Sequence, residues 1–128
     1  MKKLVDYGVN MVNKRSIGSI YEAAAARYLD EKGFLLIGKN HYTPFGEIDL
    51  IYKKNSTLYF VEVKYRSSDA FGTPKEALDS RKVKRMKQSA LHYLKEQTDG
   101  YQRYKISFMG IKGNPDHLEF DFIENIFS

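Results

Sequence analysis

Two neighbouring apolar segments of the sequence carry charged residues at alternating positions. Glu47 and Asp49 lie in GEIDLI, and Glu62 and Lys64 lie in FVEVK, a short distance further along the chain. A charge among the apolar positions of a strand lowers stability unless an opposite charge or a cation lies beside it. These four side chains are therefore the first candidates for a site with a chemical function.

The segment between them, KKNST, predicts how the two strands meet. A turn at its Asn-Ser dipeptide sets Asp49 directly opposite Glu62 and Glu47 opposite Lys64. Like charges that face each other across an antiparallel pair repel, so Asp49 and Glu62 need a neutralising partner. A register shifted by one residue would instead place Glu62 on the other face from Asp49.

A hard divalent cation is the partner that oxygen ligands favour, and we expect Mg²⁺ or Mn²⁺ held by Asp49 and Glu62. The sequence has no cysteine and only three scattered histidines, so it lacks the ligands that zinc prefers. The alternative is an ion pair between Glu47 and Lys64 on a solvent-facing sheet surface, with the other two acids exposed beside it. Apolar residues on both faces of these strands favour the metal site.

A third carboxylate comes from the first predicted helix, where Glu22 is the single acid on a stripe of small or apolar residues. An acid on that packing stripe can reach the sheet and the other carboxylates. The segment SIYE, which ends at Glu22, also matches a capping box, in which the glutamate acts only on its own helix. The sequence pattern leaves both interpretations open.

Positive charge is concentrated in RKVKRMK, residues 81–87, in a chain that has 21 Lys and Arg against 16 Asp and Glu. Clustered positive charge attracts polyanions such as nucleic acid, although a solvated helix face has the same composition. Arg66 shares a strand face with Lys64 and could meet a phosphate. The predicted nucleic-acid contacts are Arg66, Arg81, Lys82, Lys84, Arg85 and Lys87.

A cation held by carboxylates, with a lysine beside it and a basic helix on the same domain, is suited to phosphodiester hydrolysis. The cation lowers the pKa of a bound water and polarises the phosphoryl oxygen under attack. Lys64 would stabilise charge that develops in the transition state, or orient the attacking water. Either role requires its ammonium close to the cation.

Local patterns predict the elements that position these residues. An alanine-rich helix with Ser16 or Ser19 as its N-cap ends at Gly33, and FLLIGKN forms the first strand before the two charged strands. After the capping box TPKE, an amphipathic helix runs from Pro74 to about Gln97. Two alternating segments joined by GNPD complete the order αβββαββ. This order predicts an α/β fold with a mixed β-sheet of about five strands flanked by helices.

A chain of 128 residues is long enough for one hydrophobic core. We expect an N-terminal arm, residues 1–14, followed by a single domain, residues 15–128. Its apolar runs are too short to span a membrane, and its first residues do not form a secretory signal. The lack of cysteine fits the reducing cytoplasm, which is the expected location.

Three blocks of the sequence, GEIDLI at 46–51, FVEVKYR at 60–66 and FGTPKEA at 71–77, resemble the YraN-like family of predicted endonucleases. That family belongs to the PD-(D/E)XK, or restriction-endonuclease-like, superfamily and is similar to archaeal Holliday junction resolvases. The similarity extends over nearly the whole chain. It implies a restriction-endonuclease-like core for the predicted mixed sheet.

The resemblance also implies roles for individual residues. It assigns metal binding to Asp49 and Glu62, the catalytic lysine to Lys64, a further acidic ligand to Glu22 and a supporting role to Glu47. One departure lies near residue 40, where the family usually has Asn-x-Arg and this chain reads Asn-His-Tyr. A substrate contact made by that arginine elsewhere in the family is not expected here.

The leading hypothesis is a metal-dependent endonuclease acting on DNA. Branched or single-stranded structures are the expected substrates, because no element resembles a major-groove recognition helix. One alternative is a catalytically silent nuclease fold that binds nucleic acid through the basic run, and another is a protein-interaction domain whose basic helix docks an acidic partner. Resolvase-like relatives suggest a homodimer where two strands are cut symmetrically.

Overall fold

The computed structural model describes residues 14–67, 78–97, 103–114 and 116–127, with side chains from residue 20 onward. Within these residues, two helices and five strands follow one another in the predicted order αβββαββ. They are α1 (Lys14–Glu31), β1 (Leu35–Thr43), β2 (Gly46–Lys54), β3 (Thr57–Arg66), α2 (Ser80–Lys95), β4 (Arg103–Asn114) and β5 (His117–Ile123). The predicted α/β fold of the restriction-endonuclease-like type is confirmed.

All five strands form one mixed sheet in the spatial order β1-β2-β3-β4-β5. Only β3 and β4 are parallel, while the other neighbours are antiparallel. Parallel neighbours need a crossover connection, and α2 lies in the segment that joins them. The central strand β3 therefore has a neighbour on each side, and its residues are among the most buried of the chain.

The sheet has a helix packed against each face. Residues of α1 such as Leu29 share one apolar core with Tyr59 and Val61. Ala90 of α2 shares a second core with Phe60 and other strand residues. Because successive residues of β3 point to opposite faces, these two cores lie on opposite sides of the sheet.

A two-residue turn joins β2 to β3, as the sequence predicted. Asn55 and Ser56 both have left-handed backbone angles, φ +52° and +64°, as in the type I′ turns that suit the twist of hairpins. The paired register runs from Lys54 opposite Thr57 as far as Leu50 opposite Val61. This confirms the predicted register over the length of the pairing.

Beyond Leu50 and Val61, β2 and β3 no longer pair with each other, and each strand pairs only with its other neighbour. Strand β2 continues alongside β1, with Ile48 opposite His41, while β3 continues alongside β4, with Glu62 opposite Phe108. The predicted pairs of Asp49 with Glu62 and of Glu47 with Lys64 fall just past the last paired position. The acids therefore lie where β2 and β3 separate, and we call this place the fork between β2 and β3.

Only one end of α1 lies where the sequence predicted it. Gly33, with φ +89°, ends the helix in a Schellman motif, in which Phe34 N–H donates to Leu29 and Gly33 N–H to Asp30. At the other terminus the prediction was wrong, because the helix already begins at Lys14. Ser16 and Ser19 consequently lie inside the helix and do not serve as its N-cap.

Helix α2 begins at Ser80, so the predicted start at Pro74 was wrong. Asp79 is the N-cap: its backbone is extended and its carboxylate accepts a hydrogen bond from Lys82 N–H at 2.8 Å. A helix that ran through Asp79 from Pro74 could not have this extended residue. The predicted capping box TPKE lies outside the described residues.

The predicted arm, residues 1–14, lies outside the described residues apart from Lys14. The division of the chain into an arm and a domain stays a prediction. Neither described helix is long and apolar enough to cross a membrane.

Candidate active site

The fork between β2 and β3 opens into a cleft of about 290 Å³ that contains three of the predicted acids. Asp49 enters it from β2, and its Oδ2 accepts a hydrogen bond from Val63 N–H at 2.8 Å. Where the strands separate, Val63 N–H therefore donates to this carboxylate and not to a main-chain carbonyl of β2. The cleft is lined by Phe45, Gly46, Glu47, Asp49, Glu62, Lys82, Arg85, Met86 and Ser89.

Two lysines lie beside the same oxygen of Glu62. Lys82 Nζ is 2.7 Å from Glu62 Oε2, and Lys64 Nζ is 3.8 Å from it. The glutamate side chain is only 11% exposed, so these charges interact in a partly desolvated place. The predicted catalytic lysine, Lys64, therefore lies close to a predicted metal ligand.

Lys82 was predicted only as a surface contact for nucleic acid, and the structure places it inside the site. The spacing of the cleft-lining residues of α2 explains this position, because Lys82, Met86 and Ser89 recur at intervals of four and three residues. Ser89 is buried and accepts a hydrogen bond from the Thr43 hydroxyl at 3.0 Å. The same helical face that anchors α2 to the end of β1 therefore carries Lys82 to the carboxylates.

Asn40 is a site residue that the sequence analysis missed. Its Nδ2 donates to Glu22 Oε1 at 3.2 Å and to Glu47 Oε2 at 2.8 Å. Its backbone has φ +49° within β1, a left-handed conformation that asparagine tolerates better than most residues. A family-typical asparagine at this position was visible in the sequence, but the left-handed turn of the strand was not.

The two interpretations of Glu22 are now distinguished. The capping box was wrong, because Glu22 lies more than two turns inside α1. Its carboxylate instead reaches across to Asn40 of the sheet. Its role as a metal ligand stays a prediction.

Burial has the largest effect on the acids of the site, and clustered negative charge adds to it. Burial raises the pKa of Asp49 to about 8, with the nearby Glu62 as the next cause. The hydrogen bond from Val63 opposes this rise, while Glu22 and Glu47 add to it. Burial also raises the pKa of Glu22, against the hydrogen bond from Asn40. The protein alone thus disfavours the ionised form of Asp49 and Glu22.

The two lysines are affected in opposite directions. Burial and the neighbouring Lys82 lower the pKa of Lys64. For Lys82, burial is the largest single effect and acts against the charged form, but the hydrogen bond to Glu62 and the negative charges of Glu62 and Asp49 together raise the pKa. The ammonium of Lys82 therefore interacts with Glu62 more strongly than the ammonium of Lys64 does.

The donor set fits a hydrated divalent cation. Within the four described ranges, no three carboxylate or imidazole side chains already stand together as a ready metal cluster. Mg²⁺ commonly takes only one or two carboxylates and keeps several waters, so Asp49 and Glu62 in an open cleft are a suitable pair. A cation beside these carboxyl groups would favour their ionised form, which the protein alone disfavours.

The remaining predicted contacts divide into two groups. Arg85 lines the cleft, whereas Arg81, Lys84 and Lys87 are exposed on the outer part of α2. Arg66 is not among the residues that line the cleft, and its guanidinium donates to the Tyr65 carbonyl at 3.4 Å. The structure therefore brings part of the predicted basic set to the acids and leaves the rest outside the lining of the cleft.

Comparison with known proteins places this site in a family. The model of the uncharacterised protein family UPF0102 matches residues 21–124. The chain belongs to this family. UPF0102 is the YraN-like family, so the resemblance found in the sequence is confirmed.

Related UPF0102 proteins resemble the chain over most of its length. One from Pseudoalteromonas translucida is 39% identical over 115 residues, which cover 90% of this chain and 93% of the relative. Another, from Fusobacterium nucleatum, is 38% identical with the same coverage. A third, from Caldanaerobacter subterraneus, is 35% identical and is covered over 94% of its length. The family match therefore includes the five strands, α2 and the part of α1 that carries Glu22.

Proposed function

We propose that this UPF0102 protein is a metal-dependent endonuclease that hydrolyses phosphodiester bonds in DNA. The observation that carries the proposal is the meeting of Asp49, Glu62 and two lysines at one fork in the sheet. Two acids that flank a cleft, with ammonium groups beside them, match the charges of a phosphodiester and a divalent cation. Mg²⁺ or Mn²⁺ is the proposed cofactor.

Each side chain has a separate task in the proposed reaction. When bound, the cation would supply an activated water and polarise the phosphoryl oxygen. Asp49 and Glu62 hold it, and the hydrogen bond from Val63 fixes the direction of the Asp49 carboxylate. Lys64, on the strand that carries Glu62, stabilises negative charge that develops on the phosphate. Asn40 donates hydrogen bonds to Glu22 and Glu47 and so keeps these two carboxylates oriented.

The basic face of α2 supports DNA as the substrate. Arg85 lies in the cleft, and Arg81, Lys84 and Lys87 continue the positive charge on the exposed part of the same helix. Such a row contacts the phosphate backbone and gives little information about base sequence. We therefore propose that the protein selects branched or single-stranded DNA by its structure. We also propose that it acts in the cytoplasm, and that it forms a homodimer where two strands are cut.

The second candidate is a catalytically silent module that binds nucleic acid. The ion pair between Lys82 and Glu62 at 2.7 Å favours it, because a carboxylate neutralised by lysine can serve structure alone. In that case the basic face of α2 would still bind DNA. The acids would then have no effect on any phosphodiester bond.

Cleavage of a labelled branched DNA in Mg²⁺ or Mn²⁺ distinguishes the two candidates. The wild type is compared with Asp49→Asn, Glu62→Gln and Lys64→Ala, and with Glu119→Gln, an exposed acid on β5, as the matched control. An endonuclease cuts only with the cation, loses activity in the first three variants and keeps it in the control. Equal DNA binding by all variants without cleavage by any of them would establish the binding module.

A further inference from the structure

Lys82 holds a position that a divalent cation would need. Its ammonium is 2.7 Å from Glu62 Oε2, closer than Lys64 at 3.8 Å from the same oxygen. The Lys82 side chain is 24% exposed and that of Glu62 is 11% exposed. This is a charge-assisted hydrogen bond, stronger than a bond between neutral groups, and water screens it only in part.

The helix directs this ammonium to the acids. Asp79 accepts a hydrogen bond from the Lys82 main chain at 2.8 Å, which fixes the first turn of α2. One turn later Met86 lines the same cleft, and Ser89 bonds to Thr43 at 3.0 Å. The base of the Lys82 side chain is therefore fixed, while its four-carbon stem can still move the ammonium within the cleft.

A divalent cation and this ammonium compete for Glu62 Oε2, because like charges at that separation repel. A cation that takes this oxygen therefore displaces the ammonium from it. Arg85 lines the same cleft and adds a second positive charge there. A phosphate group of bound DNA is the anion that this part of the cleft would receive.

We propose that Lys82 is an internal counter-ion of the cation site. In the cation-free protein it neutralises Glu62, and on cation binding it moves to the phosphate backbone of the DNA. This inference rests on the proposed function and goes beyond it, because it assigns to a lysine of the basic helix a positioning role at the acids. By linkage, DNA that takes Lys82 frees Glu62, so cation and DNA strengthen each other's binding.

The first test is Mn²⁺ affinity by isothermal titration calorimetry without DNA. Lys82→Gln and Lys82→Ala remove the competing ammonium, and we expect Mn²⁺ to bind about tenfold more tightly, the effect of one charge-assisted hydrogen bond. Arg85→Gln removes a charge from the same cleft but not the bond to Glu62, and its effect is smaller. Lys95→Gln removes a charge from the exposed end of α2 and leaves the affinity unchanged.

The second test is DNA affinity by fluorescence anisotropy, with and without Ca²⁺, with the DNA checked for integrity on a gel. In the wild type Ca²⁺ strengthens DNA binding, and in Lys82→Gln this gain becomes smaller because no ammonium is released. Unchanged or weaker Mn²⁺ binding in both Lys82 variants, or no Mn²⁺ binding in any protein, overturns the inference. Neither assay measures cleavage, so a failure of the proposed nuclease activity is observed separately.

Discussion

Replacement of Asp49 by Asn should stabilise the protein in the absence of divalent cations. The Asp49 carboxylate is partly buried beside Glu62, and burial with this neighbour raises its pKa to about 8. Asn keeps an oxygen that can accept the hydrogen bond from Val63 N–H, but it carries no charge. The variant therefore keeps the local geometry and removes the repulsion.

The direction of the pH dependence follows from linkage. Because the folded protein holds the Asp49 proton up to about pH 8, whereas the unfolded chain releases it near 3.8, the unfolded state binds fewer protons between these values. The free energy of unfolding of the wild type therefore falls as the pH rises through this window. The full shift corresponds to an upper limit of about 6 kcal/mol. Since water reaches part of the site and the fork can relax, we expect a gain of about 2 kcal/mol for Asp49→Asn near pH 8.

Urea denaturation in EDTA over this pH range measures the effect. The gain of Asp49→Asn over the wild type should increase with pH, and Glu119→Gln, on the exposed part of β5, should show no such trend. Addition of Mn²⁺ should stabilise the wild type by mass action and stabilise Asp49→Asn much less. A variant that is no more stable than the wild type near pH 8, or whose gain is independent of pH, would refute the reasoning.

Three further predictions concern other parts of the molecule. Asn40→Ala removes both hydrogen bonds to the acids and should lower the cleavage rate about tenfold, as expected for lost positioning, while DNA affinity stays the same; a rate equal to that of the wild type would exclude the positioning role. Gly33→Ala forces a side chain into the left-handed conformation at φ +89° and should cost about 1 kcal/mol in thermal denaturation, with unchanged melting as the contrary result. Replacement of Lys84 and Lys87 by Gln should weaken DNA binding and reduce its salt dependence; an unaltered salt slope would show that these exposed lysines do not contact phosphates.

The parts of the fold that depend on local chemistry were predictable. Alternation of apolar residues and a polar dipeptide at Asn55 and Ser56 gave the hairpin and its register, which in turn placed Asp49 near Glu62. Gly33 marked the end of α1, because few other residues adopt its backbone conformation. These features depend on a few residues that are neighbours in the sequence.

The features that were missed depend on contacts distant in sequence. Whether Lys82 faces solvent or Glu62 is decided by the rotation of α2 about its axis, which the packing of Ser89 against Thr43 sets. The role of Asn40 depends on a left-handed residue inside a strand, which no local pattern indicated. The fork itself arises because β2 and β3 each continue with another neighbour, and strand alternation alone predicts an unbroken pair.

The central claim is tested most directly by comparing cation-dependent DNA cleavage by the wild type and by a variant that lacks one charge of the site. The measurement is the amount of cut product formed from a labelled four-way DNA junction in Mn²⁺ by the wild type and by Glu62→Gln, with EDTA samples in parallel. We predict cleavage by the wild type in Mn²⁺, none in EDTA and none by Glu62→Gln, although both proteins bind the junction. Equal cleavage by the two proteins, or cleavage that persists in EDTA, would contradict the assignment of the fork between β2 and β3 as the active site.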